Sequence, residues 1–399
     1  PSGRSIAIFF YNGPVSRAVA FEGVLRNGEA FANKLTKEFL DEKHPQLVHI
    51  ATDGETYGHH HRHGDMALAY ALRHVEENHT ARTTNYGEFL EQHPPEDEVE
   101  IVSDSSWSCA HGIERWRGDC GCNTGGGQRF RQEWRGPLRE ALDFLRDGIM
   151  DLFPARAALL YSDPWKARDD YISVILDRSD ESVSKFFEEN IEKELNDREK
   201  VEALQLMEMM RNAMLMYTSC GWFFNDISGI ESVQILQYAG RAIQLAEIVF
   251  EKSFESAFLE RLSKAKSNLP DMGDGRKIYE RFVLPARTDL RKVTAHYAAL
   301  ATLDEKFAPE RIYCYQIDLE TSQLWKSGRT RLSTGIVRVT SSLTHKSEKM
   351  TFGLLHLGDH NIHGGVRLFR GDDVYKAMTD EMGAAFQKAD IPGIIRVMD

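Results

Sequence analysis

Cysteine is scarce. Five in 399 residues, an odd number, argues against a disulfide-stapled secreted domain and makes a reducing cytoplasm the expected compartment. Long apolar runs are missing as well: nothing approaches the ~18–20 residues that a membrane span needs. Positive charge is in deficit, with 49 Lys+Arg against 61 Asp+Glu and a formal net charge of −12. A phosphate-backbone binder needs clustered Lys and Arg, so neither nucleic acid nor membrane is expected as a partner. No internal repeat or low-complexity linker interrupts the chain. What remains is ordinary globular composition, 42% hydrophobic and 28% charged, with length for two or three domains.

Hydrophobic patterning divides the chain into three. Residues 5–11 and 46–52 are apolar runs ended by turn residues and read as buried strands, and 99–102 reads as a third, short strand. Between them lie helical stretches, one from Ser16 to about Glu42 with a break at Asn27-Gly28, another from Asp65 to Glu77. Strand and helix alternating at this spacing is a parallel α/β pattern. Residues 132–305 are almost entirely helical: Leu236, Ala239, Ile243, Ala246 and Phe250 follow a 3.6-residue stripe, and the charge-rich 180–208 stretch reads as an exposed face. Residues 306–399 alternate apolar and polar positions, as at Met350, Phe352 and Leu354, predicting an antiparallel module with one buried face and a closing helix near 373–388. The expected domains are therefore 1–131, 132–305 and 306–399.

Three polar and aromatic clusters stand out. Residues 52–65 follow a predicted strand directly and hold Asp53, Glu55 and four of the 15 histidines, His59, His60, His61 and His63. In parallel α/β folds ligands bind at that edge. The second cluster runs from Ser106 to Thr124 and contains Trp107, Cys109, His111, Glu114, Trp116, Cys120 and Cys122. Aromatic faces beside His, Glu and Arg suit a sugar ring. Its cysteines, spaced C-x10-C-x-C, lack the second C-x2-C pair of a zinc ribbon; structural or incidental thiols are expected, with a metal or redox role as the alternative. Gly125–Gly127 lacks the G-K-[ST] ending of a phosphate loop. The third cluster, 219–226, holds Trp222 and Asp226, the latter a candidate helix N-cap.

In this order the clusters resemble glycoside hydrolase family 57, which contains α-amylase-like hydrolases, 4-α-glucanotransferases and branching enzymes. Asp53-Gly54-Glu55-Thr56-Tyr57-Gly58 looks like the family's fourth motif, after a late strand of an incomplete (β/α)7 barrel. The resemblance implies Asp53 as general acid/base. Ser219–Phe224 with Tyr238-Ala239-Gly240-Arg241 looks like the fifth motif, except that Gly221 stands where the family has an acid. The 107–127 stretch resembles a branch of the family whose barrel is joined to a C-terminal region of unassigned function. The implied fold is the last strands of that barrel, a helical region and a C-terminal antiparallel β module. The implied activity is a retaining hydrolase or glucanotransferase on α-glucans, without cofactor. Asp53 would be catalytic, with Glu55, His59, His60, Trp107, His111, Glu114, Trp116, Trp222 and Asp226 binding an oligo- or polysaccharide.

The family's nucleophile, a glutamate ending an earlier strand, has no counterpart. Glu22, Glu29, Glu38, Asp41 and Glu42 all fall in a predicted helix. The chain also opens on Pro1 without an initiator Met, so it is expected to be the C-terminal part of a longer enzyme, inactive alone and partnered by the missing N-terminal part. Two other readings stay open: a metal-dependent hydrolase using Asp53, His59, His60, His61, His63 and His111, and a non-catalytic glycan-binding relative.

Overall fold

The computed structural model describes residues 3, 5–125, 130–304 and 308–398. Pro1, two of the three glycines at 125–127 and the expected domain boundary after residue 305 lie outside the described residues. The chain forms two compact units, 1–103 and 104–399.

The first unit is built on four helices: α1 (Gly13–Phe21), α2 (Gly28–Thr36), α3 (Gly64–Glu77) and α4 (Tyr86–Gln92). Asn12, not Ser16, caps α1, accepting from the Val15 N–H at 2.9 Å. Ser16 sits inside the first turn and bonds back to the Asn12 carbonyl. The break at Asn27 is real, because its side chain caps α2. A small core of Val19, Leu25, Phe31, Ala32, Ala67 and Ala71 joins α1, α2 and α3.

The three predicted strands of this unit do not form ladders, and none is buried: 5–11 and 99–102 are largely exposed and 46–52 is half-buried. Residues 5–11, 46–52 and 99–102 carry no strand. Ile6, Phe10 and Ile101 are 86%, 74% and 72% exposed. One backbone bond, from the Asn12 N–H to the His49 carbonyl at 2.9 Å, joins the first segment to the second, and the Ala51 N–H reaches Ser16 Oγ. The physical reason is that a strand, unlike a helix, cannot satisfy its own backbone; it needs neighbours, and at least three strands with a covered face, to be stable.

The second unit has a helical part and a sheet part. The helical part comprises α5 (Arg135–Ala157), α6 (Pro164–Asp170), α7 (Ile172–Leu176), α8 (Asp180–Asn190), α9 (Asp197–Leu215), α10 (Cys220–Phe223), α11 (Ile230–Phe250), α12 (Glu255–Leu262) and α13 (Gly275–Ile278). Its core includes Trp134, Leu145, Phe153, Leu236 and Ile243. The expected apolar stripe of α11 faces inward as read. The 180–208 stretch differs: residues 203–210 of α9 are buried all round. The charge there is taken inside as a paired group, with Glu208 accepting from Tyr171 Oη at 2.7 Å and lying 2.7 Å from Arg178 and 3.3 Å from Arg211. A buried carboxylate is tolerable only when so compensated.

α14 (Leu290–Leu303) leads into a five-stranded antiparallel meander, β1 (Arg311–Ile312), β2 (Tyr315–Ser327), β3 (Thr330–Ser341), β4 (Ser347–His356) and β5 (Ile362–Leu368), in sequential order. α15 (Asp372–Gln387) and α16 (Ile391–Met398) close the chain. The sheet has two covered faces, not one. Met350, Phe352 and Leu354 pack with Leu290, Val293 and Tyr297 of α14, while Leu332 and Leu355 pack with Met378, Met382 and Ile394. Helices on both sides explain why residues 332–337 of β3 and 350–355 of β4 are buried without alternation.

Candidate functional site

In the first unit, Asp53 precedes a single 3-10 turn, Gly54–Thr56. It holds the N-cap position with φ −65° and ψ 143°, but its side chain makes no capping bond. The carboxylate is therefore exposed and not engaged in shaping the turn. Thr56 is buried, and Thr52 donates to Tyr57 Oη at 3.1 Å, which pins the turn from beneath. Glu55 is exposed, and its carbonyl accepts from the His59 and His60 N–H groups at 3.1 and 2.9 Å. The two imidazoles lie beside each other, ring centres 5.3 Å apart. His61 bonds the Ala20 carbonyl at 2.9 Å, and His63 takes a left-handed φ of 65° to start α3. Among the described residues these histidines do not gather with Asp53 as a metal-ligand group.

The second unit brings 104–125 and 219–226 together. Trp116 Nε1 donates to the Ser219 carbonyl at 3.0 Å. A shallow cleft there is lined by Trp116, Arg139, Arg146, Tyr217, Ser219 and Trp222. Tyr217 stacks on Trp222 with 10° between ring planes, and the Arg139 guanidinium lies over the Tyr217 ring, 5.0 Å from its centre. Burial and the hydrogen bond to Asp143 push the Tyr217 phenol above its ordinary range. Trp222 itself is 1% exposed and donates to the Arg135 carbonyl at 3.3 Å, so it forms the floor. Trp107 is the opposite case, 81% exposed and leaning on the Phe223 ring at 6.1 Å. Glu114 pairs with Arg117 at 3.6 Å, which also holds Asp104.

Asp226 is a structural hub. It does not cap a helix; Gly229 is the N-cap of α11. Its two oxygens accept from Ser228 N–H and Oγ, Ser267 Oγ, and Asn268 N–H and Nδ2 at 2.6–3.0 Å. Burial pushes this carboxyl up, but the bonds from Ser228, Asn268 and Ser267 outweigh it and hold it below the usual range. Gly221 is buried. A Cβ built there would sit 2.4 Å from Ile235 Cδ1, and its carbonyl accepts from Ser232 Oγ at 2.6 Å.

The feature that sequence reasoning missed is the convergence of Cys109, His111, Cys120 and Cys122. Their ligand atoms all lie within 4.8 Å of one another, the one such group among the described residues. Cys109 Sγ is 3.8 Å from both Cys120 Sγ and Cys122 Sγ, and Cys122 Sγ is 3.6 Å from His111 Nδ1. Burial pushes the Cys109 thiol up, but the N–H groups of His111 and Arg115 and the neighbouring thiols bring it down to about 6. Burial raises Cys120. The signal was readable once His111 is counted: C-x-H-x8-C-x-C is two short chelating pairs. These residues could hold a metal ion.

Residues 130–399 match the family described as Domain of unknown function (DUF3536), and residues 1–102 match Glycosyl hydrolase family 57. Among solved structures the chain is similar to a novel exo-type maltose-forming amylase from Pyrococcus sp. ST04, with a TM-score of 0.50 and 16% identity. That match covers 74% of this chain and 61% of the amylase, so the chain spans under two thirds of the length of the protein it matches. A comparison with curated proteins gave no match.

Proposed function

We propose, from the premise that this chain belongs to the family described as Domain of unknown function (DUF3536) and is glycosyl hydrolase family 57-like, that it carries the acid/base of a retaining glycosidase or glucanotransferase on α-glucans. Asp53 is the acid/base. The observation that carries this reading is its carboxylate, exposed at the head of a turn that Thr56 and Tyr57 hold without its help. Glu55, His59 and His60 crowd the same turn and would bond sugar hydroxyls. Trp107 and Trp116 offer ring faces to a sugar, while Trp222 and Asp226 support the cleft from inside.

A retaining mechanism needs two carboxyl groups about 5–5.5 Å apart. Here the nucleophile comes from strands of an incomplete (β/α)7 barrel that these 399 residues do not supply. The exposed apolar segments 5–11 and 99–102 are the surfaces those strands would cover. A general acid working near neutrality also has to be enclosed, and the added strands would enclose Asp53.

The test is turnover of maltooligosaccharides. In the full-length enzyme, Asp53→Asn is expected to lower turnover by ~10²–10⁴-fold. A loss under about tenfold overturns the assignment. The 399-residue chain alone is expected to be inactive, and robust hydrolysis by it overturns the division of labour. Oligosaccharide binding without turnover by the full-length protein would favour a non-catalytic relative instead.

A further inference from the structure

We propose that Cys109, His111, Cys120 and Cys122 bind one zinc ion in a closed four-ligand site that clasps the 104–123 loop. The inference does not rest on the proposed activity. Its first support is geometric. Donors about 2.3 Å (S) and about 2.0–2.1 Å (N) from a tetrahedral zinc sit about 3.8 Å apart for S···S and about 3.6 Å for S···N. The observed separations are 3.8, 3.8 and 3.6 Å. All five cysteines are free, and 3.8 Å is nearly twice the ~2.05 Å of a disulfide.

The second support is how the loop is built. His111 follows Cys109 by two residues and Cys122 follows Cys120 by two; the Gly112 N–H donates to the Cys109 carbonyl at 3.2 Å, and the Gly121 N–H to Asp119 Oδ1 at 3.0 Å. Each ligand pair thus sits in a short turn with its own backbone hydrogen bond. Gly121, at φ +74°, lets the Cys120–Cys122 turn close, and Gly112, at φ +77°, lies where a Cβ would strike the Asp104 carbonyl at 2.3 Å.

The third support is charge. Arg115 and Arg135 are 4% and 0% exposed, and their Nε atoms have no partner. Arg135 donates to the Cys122 carbonyl at 2.8 Å. Among the described residues neither guanidinium lies within ion-pair reach of a carboxylate. Buried cations demand compensation. Three thiolates, one neutral imidazole and Zn²⁺ sum to one negative charge beside them, with the thiol protons released on binding. Four protein ligands leave no open position, so the role is structural. The loop so held carries Trp107 and Trp116.

Zinc content decides the matter without any activity assay. Full chain purified from zinc-supplemented cells, without chelating resin, is expected to hold about one zinc per molecule by elemental analysis, and Cys220→Ser to keep it. His111→Ala and Cys122→Ser are expected to fall below about 0.2. Because those variants could misfold, wild-type protein supplies a second readout. Alkylation mapped by mass spectrometry should spare Cys109, Cys120 and Cys122 until EDTA is added, and Co²⁺ reloading should give the thiolate charge-transfer band of a tetrahedral site. Folded wild type with under about 0.2 zinc and no cobalt band overturns the proposal. So does iron with inorganic sulfide, or a disulfide within the trio, in freshly prepared protein.

Discussion

In residues 104–399 every strand of the sheet is followed in sequence by the strand it pairs with, and α14, α15 and α16 cover both faces. In residues 3–103 the helices close around six buried side chains, while Ile6, Phe10, Val99 and Ile101 stay in solvent. Apolarity does not account for this, since six of the seven residues at 5–11 are apolar against five of thirteen in β2. The difference is supply of partners. A meander brings its own neighbours within a few residues, whereas a parallel strand depends on a chain segment a crossover away. The second unit pairs its strands within one sheet; among the described residues the first has no ladder.

Four substitutions would break or sharpen that contrast. The largest effect is expected at Phe153, fully buried in the helical core. Phe153→Ala should cost ~3–5 kcal/mol by denaturant unfolding of the second unit. Glu208→Ala strands Arg178, Arg211 and Tyr171 around an empty site and should cost ~3–5 kcal/mol. A loss under about 1 kcal/mol in either would mean this unit is not closed by its core.

Asp226→Asn should cost ~1–3 kcal/mol at neutral pH, because buried donors lose an ionised acceptor. The pH dependence has a definite sign. The folded carboxyl lies below its unfolded value of 3.8, so its contribution is complete above that value. It is lost as pH falls through the lower folded value. Acid titration of unfolding stability should therefore flatten in the variant, and identical acid limbs would refute the hub role.

The smallest effect is expected at Phe10, 74% exposed. Phe10→Ser should shift the first unit by under ~0.5 kcal/mol in the 399-residue chain. On the proposal that further barrel strands cover this segment, the same change in a longer chain carrying them should cost several times more. Equal costs in both would show that nothing packs on this segment.

Legibility followed the same line. α11 was readable because its stripe at Leu236, Ala239, Ile243 and Ala246 is a local repeat that the helix itself enforces. α3 was readable to within one residue for the same reason. The strands at 5–11 and 46–52 were apolar enough to predict but not to form, since pairing is a property of the partner. The paired charge at Glu208 and the second covered face of the sheet both depend on elements distant in sequence. At the candidate site, Asp53 and its turn were visible as a motif. The Cys109–His111–Cys120–Cys122 group was not, because cysteines were counted apart from the histidine that completes them.

Gly221 fixes the order in which this protein can change. An acidic side chain placed there would meet Ile235 at 2.4 Å before it met anything polar. Overpacking of that kind costs typically ~1–3 kcal/mol, and an unpaired buried carboxylate adds to it. Replacing Ile235 first, with a smaller residue, opens the space. An acidic residue at 221 is therefore expected to be tolerated after a smaller residue stands at 235 and penalised before it.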